Sequence, residues 1–239
     1  EKRIGGNHKT VPRQLKPQHS TPLDKPNQAC SKETLFSWRR MKYSSGDHYS
    51  QELGVDNLDQ LFVQAWCLEP VLLCKARSWA DSTGGHFPLS TKQGYVRYSS
   101  FNGNVEKQIK WGKVKAVQRS IEKVVRIYKK DVSRLVDLCR QCIAFENLED
   151  LAACVRAVIT DSEVKVVRIK NRLSPDYDSN TSKGYRDVAI NMCINSQTTI
   201  DLGINTHICE LQLILKSFAA LKSEAGHARY VTFRNMRAE

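Results

Sequence analysis

Residues Val164–Leu215 read VKVVRIKNRLSPDYDSNTSKGYRDVAINMCINSQTTIDLGINTHICELQLIL. The stretch reads KVVRIKNRL, then SPDYDSNTSKGYRDVAINMCIN, then HICELQLILK, three strand-like runs joined by two loops. The last run carries Glu210 and Gln212, two residues apart and so on one face of a strand. A carboxylate inside an apolar run is costly unless something pairs with it. The loop before the second run ends in Lys183-Gly184-Tyr185-Arg186, three polar or aromatic side chains about a turn residue.

Upstream, Leu135–Phe145 reads as a further strand, with Asp137 and Arg140 at its beginning. Asn147-Leu148-Glu149-Asp150 has the form of a helix cap, and Leu148, Leu151, Ala152, Val155 and Val158 supply the buried side of a helix to about Ile159. Before these lies a basic helix from about Val114 to Lys130. Its apolar side is Val117, Ile121, Val124, Val125 and Tyr128. Lys115, Arg119, Lys123 and Arg126 recur at helical spacing on another face, where like charges repel unless an anion lies against them. Phe218–Arg229 reads as a terminal helix. The order is an α/β (α+β) one: a mixed sheet flanked by helices.

Asn57 and Asp59 open an earlier helix in which Leu58, Leu61, Phe62, Ala65, Trp66, Leu68, Leu72, Leu73, Ala76 and Trp79 form an apolar stripe. Pro70 is expected to kink or divide it. Asp81–Gly85 ends it, and the segment to Trp111 reads as a loop with room for a short hairpin. Residues 1–30 hold almost nothing apolar and read as a disordered basic tail or linker. The expected division is therefore tail 1–30, helical N-terminal region 31–110 and sheet domain 111–239.

The 239 residues carry a formal charge of +12. That excess favours a polyanionic partner such as nucleotide phosphates or RNA. No apolar run approaches the ~20 residues that span a bilayer, so no membrane role is expected. The sequence opens on Glu1 rather than Met, without the apolar run of a secretory signal, and reads as an excerpt or a processed chain. Eight Cys are scattered through apolar runs. They read as buried free thiols of an intracellular, reducing compartment, cytoplasmic or organellar. Cys139 and Cys142 have CxxC spacing, but on a strand they point to opposite faces, and with no second pair they do not read as a zinc site. Asn180-Thr181-Ser182 matches a glycosylation sequon, against which the free-thiol reading argues.

Asp137 and Glu210, with Arg119, Lys123, Arg140, Lys170, Arg172, Lys183 and Arg186 around them, have the composition of a triphosphate grip. Two acids hold Mg²⁺, and cations neutralise the phosphates. The order of motifs over residues 110–232 resembles the synthetase domain of the RelA/SpoT family, the alarmone synthetases. The basic helix from Lys115 to Lys123, Asp137 with Arg140, Arg168–Arg172, Lys183-Gly184-Tyr185-Arg186, Glu210-Leu211-Gln212-Leu213 and Glu224-Ala225-Gly226-His227-Ala228 carry the likeness. It is similar in particular to divergent relatives with Gly-Tyr-Arg-Asp and Cys-Glu-Leu-Gln-Leu runs.

The resemblance implies a nucleotidyltransferase-like fold and transfer of pyrophosphate, or a nucleotidyl group, from ATP to a 3′-hydroxyl of a nucleotide or RNA end. It implies Mg²⁺ on Asp137 and Glu210, base stacking by Tyr185 and phosphate contacts from Arg119, Lys123, Arg140 and Lys183. Gln212 would support the acceptor site. The chain departs from the family at Ile214, where a basic residue is usual, at Ala189, where His is usual, and in its shorter Asp–Arg spacing. The alternative is a catalytically silent module of the same kind, binding tRNA or rRNA or serving as part of a larger protein or ribonucleoprotein assembly.

Overall fold

A computed structural model describes residues 57–91, 94–99, 103–182 and 184–220. Helix α1 spans Leu58–Thr83. Asn57 starts it by accepting the Asp59 N–H at 2.8 Å, and Gly84 ends it at φ 71°, a left-handed backbone that suits glycine. Leu61, Ala65, Leu68, Leu72, Ala76 and Trp79 turn inward and are buried. Pro70 lies inside the helix without dividing it, at an exposed position. Trp66 also departs from expectation: it is 58% exposed, one position round from the buried line. Cys67 and Cys74 share its exposed side.

The segment read as a loop contains a hairpin, β1 His86–Pro88 and β2 Tyr95–Arg97, followed by a single turn of helix, α2 Gly103–Glu106. The hairpin extends the main sheet, because β1 pairs antiparallel with β3 at His86 and Ala144. The basic helix α3 is shorter than its sequence pattern, Val117–Arg126. Only Ser120 and Val124 are buried on it, while Val117, Ile121 and Val125 are exposed. Lys115 falls outside the helix altogether.

β3 spans Arg140–Phe145, α4 Leu148–Thr160, β4 Val164–Asn171, β5 Val188–Ile194, α5 Gln197–Asp201, β6 Cys209–Leu215 and α6 Lys216–Ala220. The six strands lie in the order β2-β1-β3-β6-β5-β4. β3 and β6 run parallel and the other pairs antiparallel. The expected mixed sheet flanked by helices is thus present. Asn147 caps α4 as expected, accepting the Asp150 N–H at 2.8 Å. Leu148 lies at the helix's first position and is 58% exposed, so Leu151, Cys154 and Val158 form the buried line instead.

One face of the sheet carries Ile143, Ile190, Leu211 and Leu213 into the main core, against α1 and α4. Burying each such side chain stabilises the fold by roughly 1.5–3 kcal/mol. At the far end of α4, Asp161 ties the two helices, accepting from Lys75 Nζ at 2.9 Å and Trp79 Nε1 at 3.2 Å. Apart from this core lie a row of polar residues and two small apolar groups, one of Val167, Cys193 and Ile208 and one of Ala144, Ile214 and Ala219.

The seven described cysteines are free thiols. Cys139, Cys154, Cys193 and Cys209 are buried, Cys142 is half-buried, and Cys67 and Cys74 are exposed, which corrects the expectation of burial for those two. Cys139 packs in the main core and Cys142 on the opposite face, as their spacing predicts. Among the described residues no helix is long and apolar enough to cross a membrane.

Candidate functional site: a polar row across four strands

Residues paired in register on neighbouring strands point to the same face. Arg140 pairs with Glu210, Glu210 with Asn191, and Asn191 with Arg168. A cation, an acid, an amide and a second cation therefore form a line across β3, β6, β5 and β4. The next line, Cys142, Gln212, Ala189 and Lys170, lies beside it. A bulge in β4 makes this possible. Val166 pairs with Met192 and Arg168 with Asn191, leaving Val167 as the extra residue. Val164 and Val166 face the core before the bulge, and Ile169 faces it afterwards. Without that extra residue Arg168 and Lys170 would be directed into the core.

Hydrogen bonds hold the row. Asn191 is buried, and its Oδ1 accepts from Arg168 Nη2 at 2.7 Å and Nε at 3.2 Å. Its Nδ2 donates to the Val136 carbonyl at 3.3 Å, which fixes the backbone next to Asp137. Gln212 donates from Nε2 to Glu210 Oε1 at 2.7 Å. The Glu210 N–H donates to the Cys139 carbonyl at 3.0 Å.

Asp137 precedes β3 at the same end of the sheet. Its Oδ2 accepts from Lys115 Nζ at 2.7 Å and Lys123 Nζ at 3.0 Å. Burial opposes its charge, but Lys123 and Lys115 outweigh burial and hold the carboxyl well below the usual carboxylate range. Burial brings Lys115 down to about 8, against the pull of Asp137 and helped by the nearby Lys123. For Lys123 the carboxylate and Tyr128 win over burial and its pKa rises. Both lysines are largely buried and share one anion. Burial, with Asp137 adding to it, raises the pKa of Glu210. Glu210 lies opposite Arg140 in register, and Asp137 lies just before the same strand, so both acids belong to one end of the sheet.

Lys115 is positioned by a close backbone approach. Gly112 and Gln141 exchange two hydrogen bonds, N–H to Oε1 at 3.2 Å and Nε2 to carbonyl at 3.3 Å. Lys115 N–H then donates to the Leu138 carbonyl at 2.9 Å. A Cβ at position 112 would lie 2.7 Å from Gln141 Oε1 and 2.9 Å from the Arg140 carbonyl, so only glycine lets the segment lie so close.

Other expected site residues are placed differently. Tyr185, expected to be an exposed stacking ring, is half-buried in the small apolar group with Tyr95, Cys142, Ala144, Ile214 and Ala219. The Arg172 guanidinium lies 5.9 Å from its ring centre. Arg186 donates to the carbonyls of Arg172 and Ser174, both at 3.1 Å, and so clamps its own loop. Arg172 pairs with the fully buried Asp187. Arg119 is largely exposed and pairs with Glu122 at 3.2 Å. Lys170 is exposed beside the row, its pKa lowered by partial burial and by Arg172. Lys183 and the Glu224–Ala228 motif lie outside the described residues, as do residues 1–56.

Asn191 did not stand out in the sequence, although it has the signal that marks Glu210, a polar residue in an apolar strand. Lys115 and Arg168 were legible only as members of a basic face and a basic strand; the bulge in β4 and the pairing with Asp137 give them their places.

The two acids fit a hard divalent ion. Asp137 Oδ1 is buried with no hydrogen-bond partner, and Glu210 commits Oε1 to Gln212. Mg²⁺ is commonly held by one or two carboxylates, with substrate phosphates and water completing its shell. Among the described residues no group of three or more His, Cys, Asp or Glu forms a metal cage, so an ion here would rest on the acid pair and its substrate.

No protein-family model matches the chain, and no curated protein matches it. Solved structures do. Small alarmone synthetase 1 from Bacillus subtilis, bound to its product pppGpp, aligns at 16% identity over 75% of this chain and 87% of that one, with a TM-score of 0.48. Small alarmone synthetase 2 from Bacillus subtilis aligns at 16% identity over 74% and 81%, with a TM-score of 0.46. The Type VI effector Tas1, in complex with its immunity protein, aligns at 17% identity over 67% of this chain and only 62% of the effector, with a TM-score of 0.42. Likeness this distant leaves the activity to be argued from the residues themselves.

Proposed function

We propose that the chain is a Mg²⁺-dependent nucleotide-binding transferase of RelA/SpoT kind. It moves pyrophosphate from ATP to a 3′-hydroxyl of a nucleotide or an RNA end. What supports this reading is the polar row Arg140, Glu210, Asn191 and Arg168 across the sheet, with Asp137 and its partners Lys115 and Lys123 at the same end. In transfer, the 3′-oxygen bonds to the β-phosphorus, the bond from the β-phosphorus to the α,β-bridging oxygen breaks, and AMP leaves. Bound Mg²⁺ would supply charge neutralisation at the phosphates. Lys115, Lys123 and Arg140 hold donor phosphates. Arg168 and Lys170, further along the face, are placed for an acceptor phosphate. Asp137 and Glu210 would hold the ion that neutralises the phosphates.

Incubation with labelled ATP, Mg²⁺ and GDP, GTP or tRNA tests this directly. A labelled acceptor product, lost in Glu210→Gln, supports the transferase.

One observation favours the second reading, a silent RNA-binding module: Tyr185 is packed into an apolar group rather than offered to a base. No product in any mixture, together with a salt-sensitive RNA affinity, decides for that module.

A further inference from the structure

Within the transferase reading, on which this inference rests, the Asp137 cluster has a consequence for the order of ligand binding. Two ammonium groups lie within 3.0 Å of one carboxylate oxygen, Oδ2. The other oxygen, Oδ1, is buried and unbonded. A divalent cation approaching Asp137 from solution would enter beside two positive charges, and repulsion opposes it. A triphosphate arriving alone must draw the lysines away and leave a buried carboxylate uncompensated, which is also costly. When both arrive together, the lysines pass to the phosphates, the ion takes their place on Asp137, and every charge keeps a partner.

We infer that Lys115 and Lys123 form a latch on Asp137 that nucleotide phosphates release, so that the divalent ion and the nucleotide bind cooperatively. The two lysines are suited to such a hand-over in different ways. Lys115 sits on a backbone pinned by Gly112 and Gln141. Lys123 projects from α3, a helix with only two buried residues. Its ammonium also lies 5.2 Å from the Tyr128 ring centre, a second contact that can hold it during the exchange. Lys115 is thus a positioning residue for the metal acid as well as a phosphate ligand.

The test measures Mn²⁺ binding by electron paramagnetic resonance, with adenosine 5′-(β,γ-imido)triphosphate as the nucleotide probe. Both ligands are titrated separately and together into the full chain, after correction for ion–nucleotide binding in free solution. The expected result is a coupling of about tenfold or more, in the usual range for linked sites. Lys123→Met and Lys115→Met, each checked for cooperative melting, should raise the affinity for Mn²⁺ alone and shrink the coupling. The wild-type titration stands even where a variant fails to fold. Independent binding of the two ligands would overturn the latch and leave the transferase reading intact. Failure of the nucleotide probe to bind with or without Mn²⁺ would overturn both.

Discussion

Arg140 and Glu210 stand opposite each other in the parallel register of β3 and β6, and the Glu210 N–H reaches the Cys139 carbonyl at 3.0 Å. Two segments about seventy residues apart in sequence thereby share one end of the sheet, and Asp137 enters the same corner from just before β3.

Glu210 is held there at a cost, because burial and Asp137 raise its pKa. A carboxyl with a raised folded pKa binds protons more readily folded than unfolded, so this group's contribution falls as pH rises through its window. Glu210→Gln should therefore melt higher than the wild type at pH 7. The gain should shrink toward pH 4, and turnover should be lost across the range. Melting curves beside an ATP-consumption assay check both halves.

Asp137 has the opposite sign. Its folded pKa is depressed, so its stabilisation is present above its ordinary value of 3.8 and lost as pH falls through the folded value. Asp137→Asn leaves Lys115 and Lys123 buried against a neutral amide. Breaking a buried ion pair on one side costs about 3–5 kcal/mol. Urea unfolding at neutral pH should show that loss, and the gap to the wild type should narrow below pH 4.

Gly112→Ala should push the segment carrying Lys115 off β3, since its Cβ would meet Gln141 Oε1 at 2.7 Å and the Arg140 carbonyl at 2.9 Å. The cost should be about 1–3 kcal/mol, as for other overpacked sites. Nucleotide affinity should fall with it; the two are separated by titrating the probe well below the melting temperature.

The exposure of Trp66 predicts that Trp66→Ser changes stability by no more than about 0.5 kcal/mol. Leu68→Ala, two positions on and fully buried, should cost about 2–5 kcal/mol. Chemical denaturation of the two variants decides whether the buried line of α1 runs as described.

Much of this molecule was legible in one dimension. Apolar spacing marked α1, the cap at Asn147 marked α4, and apolar strand-like runs marked β4, β5 and β6, because each depends on contacts within a few residues. Glu210 and Asp137 declared themselves as acids where apolar residues were expected. Sequence could not show that His86–Pro88 would join the sheet, because that pairing depends on a strand more than fifty residues away. Nor could it show the bulge at Val167, which sets the direction of Arg168 and Lys170 and depends on register with β5. Which cations gather on Asp137, and that Tyr185 packs away from solvent while Arg119 stays outside, was decided by tertiary structure alone. Local spacing sets which face of an element is apolar; only the meeting of distant segments sets which charges must share a buried corner.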